Sequence, residues 1–292
     1  MKTRVGFIGL GIMGSAMAAR LIDDRALLVH TRTRSKASKL LQRGARWMSS
    51  PGKLAAECDV VFICATDTPD VQAIVCGDEG ILPAARSGLI VVDHSTISPA
   101  VTRQLAEDLA ARGTHFLDAP VSGGQSGAIN GALSIMVGGD LAAFEKVQPL
   151  LRLMGTTITH CGASGTGQLT KLVNQILVSV TNLAVCEALT FAGKNELDLE
   201  KTIAALAGGA GTSWQLVNLG PRMIEGDFRP GFTINLQQKD LRLVLAAAED
   251  SKTSLPAVSL AHQLFTAAQA AGHGKDGTQA LFTVVESLAS LH

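Results

Sequence analysis

The chain contains no tyrosine, and aromatic residues make up only 4% of it. That disfavours a surface built for stacking nucleic-acid bases. Neither sign of charge is in excess, with 25 Lys+Arg against 25 Asp+Glu. No Lys/Arg block stands out, which argues against nucleic acid or an acidic membrane surface as a general partner. CxxC spacing is also absent: Cys58, Cys64, Cys76, Cys161 and Cys186 are scattered. An odd number of cysteines without a framework reads as reduced thiols in a cytoplasmic protein, most of them small core residues. The seven histidines form no HExxH or similar pair, so a metal site has no support. Lys2 and Arg4 precede an apolar run that glycines break too early for a signal peptide. No uninterrupted apolar stretch reaches membrane-spanning length, so no membrane is expected.

What the chain does have is 292 residues, 47% of them hydrophobic, enough for a substantial core and about two domains. Its first part alternates short apolar runs with amphipathic segments. Arg4–Ile8, Leu27–His30, Val60–Cys64, Leu89–Asp93, His115–Leu117, Leu133–Val137 and Thr157–His160 read as strands. Gly14–Asp23, Lys36–Gln42, Pro51–Ala56, Pro99–Ala111 and Leu141–Leu153 read as helices. This alternation predicts a parallel sheet covered on both faces. After Gly162 the strand signals stop and the sequence becomes Ala/Leu-rich and helical. The expected division is therefore an α/β domain over 1–163 and an all-helical domain over 164–292. A helix from Thr166 to Ala192 would join them, about 40 Å long at roughly 1.5 Å per residue.

Val5-Gly-Phe-Ile-Gly9-Leu10-Gly11-Ile12-Met13-Gly14 is a G-x-G-x-x-G that directly follows a strand and opens a helix. In that setting Gly9 permits the tight turn, Gly11 lets backbone approach a pyrophosphate, and Gly14 lets helix and strand pack closely. The helix N-terminus faces the phosphates. The next strand ends at His30-Thr31-Arg32-Thr33-Arg34. An NAD enzyme usually places an acidic residue there for the ribose 2′-hydroxyl. A neutral Thr31 beside the Arg32 guanidinium suits a 2′-phosphate instead. NADP(H) is expected over NAD(H), with solvated charges at a strand end as the alternative for Arg32 and Arg34.

Lys171 sits in a helix that is apolar on most faces. Lys171, Asn174, Gln175, Ser179 and Asn182 recur with helical spacing as one narrow polar stripe. A helix apolar almost all round is a buried helix, and a buried ammonium is costly without a partner. Two readings fit: the stripe meets a polar ligand site, or the lysine snorkels to solvent or pairs with an interior carboxylate. Upstream, Ser122-Gly123-Gly124 follows a strand. Such a turn exposes backbone N–H groups and a hydroxyl that can bind a carboxylate; an ordinary glycine-rich turn is the alternative. Gly138-Gly139-Asp140 reads as a strand end and a helix cap. Asp93-His94-Ser95-Thr96 closes another strand, where ligands gather in open parallel sheets. Thr96 is either a ligand contact or a turn residue before the Pro99 helix. Phe232–Asp240 opens a long amphipathic helix carrying Lys239, whose alternatives are a reach toward the ligand or a plain surface position.

Taken together, Phe7–Gly14, Asp118–Gly124, Leu133–Gly139, Gly165–Gln175 and Phe232–Asp240 resemble the β-hydroxyacid dehydrogenase family over nearly the whole chain. The resemblance implies a Rossmann-type N-terminal domain and an all-α C-terminal domain joined by the long helix. It also implies Lys171 as catalytic lysine and Ser122, Gly123 and Gly124 as the holder of a substrate carboxylate. Thr96 and Lys239 would lie at the cofactor and substrate, with Asn174 and Gln175 on the substrate side. Gly9 to Gly14, Thr31, Arg32 and Thr66 would hold the cofactor. Two features depart from the common pattern. Asn174-Gln175 stands where many members have Asn-Asn, and Ala65-Thr66-Asp67 stands where the family usually has Leu-Pro. With Cys186-Glu-Ala-Leu189 and Gly208–Gly211, the Asn-Gln pair looks more like the tartronate semialdehyde reductase branch. The implied activity is reduction of a small semialdehyde carboxylate with NADP(H). The alternatives are oxidation of 3-hydroxyisobutyrate or another β-hydroxyacid, or a non-catalytic NADP-binding interaction protein. As in the family, a homodimer or homotetramer is expected.

Overall fold

The computed structural model describes residues 3–22 and 26–289; Lys2 and the expected helix end Asp23 lie outside the described residues. The chain divides into two compact units, Met1–Lys171 and Leu172–His292. The dividing point thus falls inside the long helix, a few residues after the glycine-rich turn at 163/164.

The first unit is a Rossmann-type α/β domain. Its strands are β1 (Val5–Ile8), β2 (Leu27–His30), β3 (Arg46–Trp47), β4 (Val60–Ile63), β5 (Ile90–Asp93), β6 (His115–Asp118), β7 (Val121–Ser122), β8 (Leu133–Gly138) and β9 (Gly155–Gly162). They lie in the order β3-β2-β1-β4-β5-β6-β8-β7, with β9 on β8. β1 to β6 are all parallel. The expected parallel sheet needs one correction. β8 runs antiparallel to β6 and β7, and β9 follows β8 in parallel. No long crossover helix separates β6 from β8; the chain turns back through β7 and a short helix, Gly124–Asn130. The return from Ser122 to Leu133 is shorter than a parallel crossover needs, so β8 pairs back antiparallel on β7.

Alternation explains how the sheet is buried. In β4, Val60 and Phe62 face one core with Phe7, Val29, Val92 and Leu117. Val61 and Ile63 face the other with Ile8, Val91 and Phe116. A fully buried Phe62 contributes on the order of 2–3 kcal/mol. The flanking helices are capped where the sequence supplies an oxygen: Ser50, Asp67, Ser98 and Asp140 each accept a first-turn N–H. Asp140 is therefore the cap that its position suggested. Asp67 starts a helix, Thr68–Cys76, that the apolar pattern alone did not mark.

The second unit is all-helical, with one isolated β-bridge, Thr233–Gly277, among the described residues. Helices Leu199–Leu206, Trp214–Ile224, Ile234–Asp250, Pro256–Ala270 and Leu281–Leu288 enclose a core that includes Leu183, Leu189, Met223, Leu241, Phe265 and Leu281.

The long helix, Thr166–Lys194, is by length and composition apolar enough to cross a membrane, although its polar stripe leaves no uninterrupted apolar run of that length. Its pattern of exposure explains this. Gln168, Lys171, Gln175, Ser179 and Asn182 are buried, while Leu169, Val173, Leu177 and Phe191 are exposed. The helix is polar inward and apolar outward along these rows, the reverse of an ordinary surface helix.

Candidate active site

The glycine turn after β1 is fixed by backbone. Gly9 N–H donates to His30 O (2.9 Å) and Cys64 N–H to Ile8 O (2.9 Å). Gly9 has φ +94°, and a Cβ there would overlap the Cys64 carbonyl oxygen. A Cβ on Gly14 would overlap the Gly9 carbonyl oxygen. Gly11 differs, since a Cβ there meets open space. The protein's own packing gives no reason for glycine at 11, whereas close approach by a phosphate does. Leu10 is buried, Met13 half-buried and Ile12 exposed beside this turn. The residues present therefore fit a dinucleotide.

Thr31 is buried at the end of β2, and Arg32 next to it is 87% exposed, its guanidinium 3.2 Å from Asp70. Asp70 lies in the first turn of the Thr68–Cys76 helix. Arg34 instead stacks over Trp47, 5.0 Å from the ring centre. So of the two arginines, Arg34 is held against the protein and Arg32 presents its cation to solvent, paired with one carboxylate.

The tails of β4, β5 and β6 are knitted together. Ala65 N–H donates to Ser95 Oγ (2.8 Å), and Ser95 N–H to Asp93 Oδ1 (2.9 Å). Thr66 is exposed in this loop and Thr96 is half-buried. His94 Nδ1–H donates to Ala119 O at 2.7 Å; burial pulls its pKa down to about 4, so the ring is neutral. Gln168 Nε2 donates to Ser95 O (2.8 Å), and its Oε1 accepts Ile97 N–H (3.1 Å). Asp118 Oδ1 accepts Gly165 N–H (2.8 Å) and Oδ2 accepts Gln168 N–H (2.8 Å). A carboxylate from the end of β6 thus caps the long helix from outside its own sequence. Burial raises the Asp118 pKa, and these N–H bonds oppose it.

Close approach fixes this corner further. A Cβ on Gly138 would stand 2.6 Å from Asp118 Oδ1 and 2.8 Å from Gly167 N. A Cβ on Gly167 would overlap Met136 O. The ends of β6 and β8 and the first turn of the long helix meet with no room for side chains.

Ser122, Gly123 and Gly124 form the turn after β7, with φ of +128° at Gly123 and +61° at Gly124. Ser122 and Gly124 are half-buried and Gly123 is exposed. Lys171, the last residue of the first unit, is 7% exposed. The glycine turn, Thr31, Arg32, Thr66, Thr96, Ser122–Gly124 and Lys171 therefore all belong to one compact unit. In the second unit, Gln175 Nε2 donates to Asp240 Oδ2 (2.6 Å) and its Oε1 accepts Asn174 Nδ2–H (2.7 Å). Lys239 Nζ lies 2.7 Å from Asp240 Oδ1. Lys239 is thus no free surface lysine, and Gln175 has its amide engaged on both sides.

Asp118, Gln168 and Asp240 were not picked out from the sequence. Gln168 had a usable signal, since it belongs to the same motif as Lys171. Asp118 and Asp240 likewise bound the Asp118–Gly124 and Phe232–Asp240 motifs, but each acts through a partner 47 or 65 residues away, which spacing does not show.

Residues 4–162 match the family model described as the NAD binding domain of 6-phosphogluconate dehydrogenase. Residues 165–285 match the one described as NAD-binding of NADP-dependent 3-hydroxyisobutyrate dehydrogenase. The 2-hydroxy-3-oxopropionate reductase of Escherichia coli is 42% identical over 287 residues, 98% of each chain. The Mycobacterium tuberculosis 3-hydroxyisobutyrate dehydrogenase solved with L-serine is 31% identical, with a TM-score of 0.89 over 99% of this chain and 100% of that one. Psf3 solved in complex with NADP+ and 2-OPP is 30% identical, with a TM-score of 0.88 over 96% and 99%. The chain belongs to the β-hydroxyacid dehydrogenase family.

Proposed function

We propose that this oxidoreductase uses NADPH to reduce a small semialdehyde carboxylate, of the tartronate semialdehyde type, to a β-hydroxyacid. The observation that carries the reading is the buried Lys171 ammonium, set in the same unit as an intact dinucleotide turn. The nicotinamide, when bound, supplies the hydride. Ser122 Oγ–H and the N–H groups of Gly123 and Gly124 hold the substrate carboxylate and orient the carbonyl beyond its α-carbon. Lys171 donates a hydrogen bond to that carbonyl oxygen and then a proton, completing the hydroxyl; solvent reprotonates the amine. Thr96 stands at the tail of β5 on the cofactor side. Asn174, Gln175 and Asp240 form a hydrogen-bonded set one turn further along the lysine's helix. Support for this substrate class comes from the 42% identity to 2-hydroxy-3-oxopropionate reductase. A steady-state panel of small semialdehydes and hydroxyacids with both nicotinamide cofactors tests it. Turnover should be fastest on the semialdehyde carboxylates with NADPH, and inactivity on all of them would remove the proposal. Faster oxidation of 3-hydroxyisobutyrate would instead favour the second reading, which the family description of residues 165–285 supports.

The cofactor preference rests on Arg32. Its exposed guanidinium lies 3.2 Å from the Asp70 carboxylate, and a 2′-phosphate offers it two or more charge-assisted bonds. Arg32→Ala should raise the NADPH Kd by about 10–100-fold and leave NADH nearly unchanged. Fluorescence titration of both cofactors reads this out, and equal losses would undo the assignment.

The exposed apolar row of the long helix supports a homodimer or homotetramer, because an unpaired stripe of this kind calls for a covering surface. Sedimentation velocity should return two or four chain masses, and a monomer at micromolar concentration would contradict it.

A further inference from the structure

Gln168 has no place in the chemistry just described, yet it is fully buried and makes three hydrogen bonds. Its amide takes Ser95 C=O and Ile97 N–H, the groups on either side of Thr96. These are the two groups that a neighbouring strand would take on one edge of an extended segment. Its own N–H is held by Asp118 at the tail of β6. Lys171 follows three positions later, one turn along the same helix.

We propose that Gln168 is a positioning residue for Thr96, clamping the peptide on both sides of that residue and tying it to the helix that carries Lys171. The inference rests on the reductase reading above, because it assigns Thr96 to the cofactor side of the reaction. The clamp needs a donor and an acceptor on one planar group at the end of two methylenes. Glutamine supplies this, asparagine is one carbon short, and methionine keeps the volume with neither bond. Ionised glutamate keeps the acceptor and loses the donor; protonated glutamate has both. Asp93 holds Ser95 N–H and Asp118 holds Gln168 N–H, His94 adjoins Ser95 and Lys171 lies one turn along the helix; all four are retained in each variant.

The test compares Gln168→Met and Gln168→Glu with the wild-type chain. Gln168→Met should bind NADPH within about threefold of wild type while kcat falls by about 10–100-fold, the scale of a small misplacement at a reacting centre. For Gln168→Glu, the ratio of its kcat to the wild-type value should rise as pH falls and the carboxyl gains its proton. A merely structural role would lower kcat and NADPH-binding capacity together and leave that ratio flat with pH. Unchanged kcat in Gln168→Met, or a flat ratio in Gln168→Glu, overturns the clamp. A wild-type chain inert on the whole panel would sink the reductase reading separately. The clamp is then decided by hydrogen exchange at the Ile97 amide, at least tenfold faster in Gln168→Met if it holds and unchanged if it does not.

Discussion

Lys171→Ala should leave NADPH binding within about threefold of wild type and lower kcat by about 10²–10⁴-fold, the range for loss of a positioned general acid. An ammonium only 7% exposed lies in low-dielectric surroundings, where its charge acts far more strongly than in water. A carbonyl oxygen gaining negative charge during reduction draws on it most in the transition state. The lysine therefore acts on kcat more than on KM. Alanine also leaves a void where three methylenes and the amine lay, which risks a packing loss unrelated to chemistry. Lys171→Met fills most of that volume without the charge and should be equally inactive. Steady-state turnover and NADPH fluorescence titration on both variants check this, and turnover within tenfold of wild type in either would remove the lysine as acid.

The second large effect is at the cofactor turn, where two glycines serve different masters. A Cβ at Gly14 would overlap the Gly9 carbonyl oxygen, a backbone atom with nowhere to go. Gly14→Ala should lower thermal stability by about 3–10 °C, as overpacking of a core contact does. It should also abolish measurable NADPH binding, because the turn cannot close. Gly11 faces open space, so Gly11→Ala should keep the thermal midpoint within about 1 °C and still weaken NADPH by roughly tenfold or more, from the clash its methyl makes with the ligand. Differential scanning calorimetry and fluorescence titration separate the two. A Gly11→Ala chain that binds NADPH normally would mean that no pyrophosphate approaches that turn.

Legibility in the sequence followed the range of the interaction. Val60-Val61-Phe62-Ile63 announces a strand buried on both faces, and each residue goes to the face its parity dictates. The long helix was readable from its length and its polar stripe, to within two residues at its end. The strands β3 and β7, two residues each, carry too short a pattern to register. The reversal at β8 was hidden for another reason: an apolar run looks the same whichever way the strand points. Within the site, the glycine turn, Arg32 and Lys171 stand out because each breaks its local pattern. Asp118 resembled any strand-end aspartate until Gly165 and Gln168 were seen to donate to it. Asp240 likewise shows its role only once Gln175 is brought to it.

The crowded corner at Gly138, Asp118 and Gly167 has a consequence for how this protein tolerates change. Those residues touch no substrate in the proposed chemistry, yet a single added methyl at Gly138 or Gly167 would push the first turn of the lysine-bearing helix off the strand ends it rests on. Mutational fragility is therefore concentrated where nothing reactive happens, and a chain crippled there would look, to an assay alone, like one that had lost its catalytic amine.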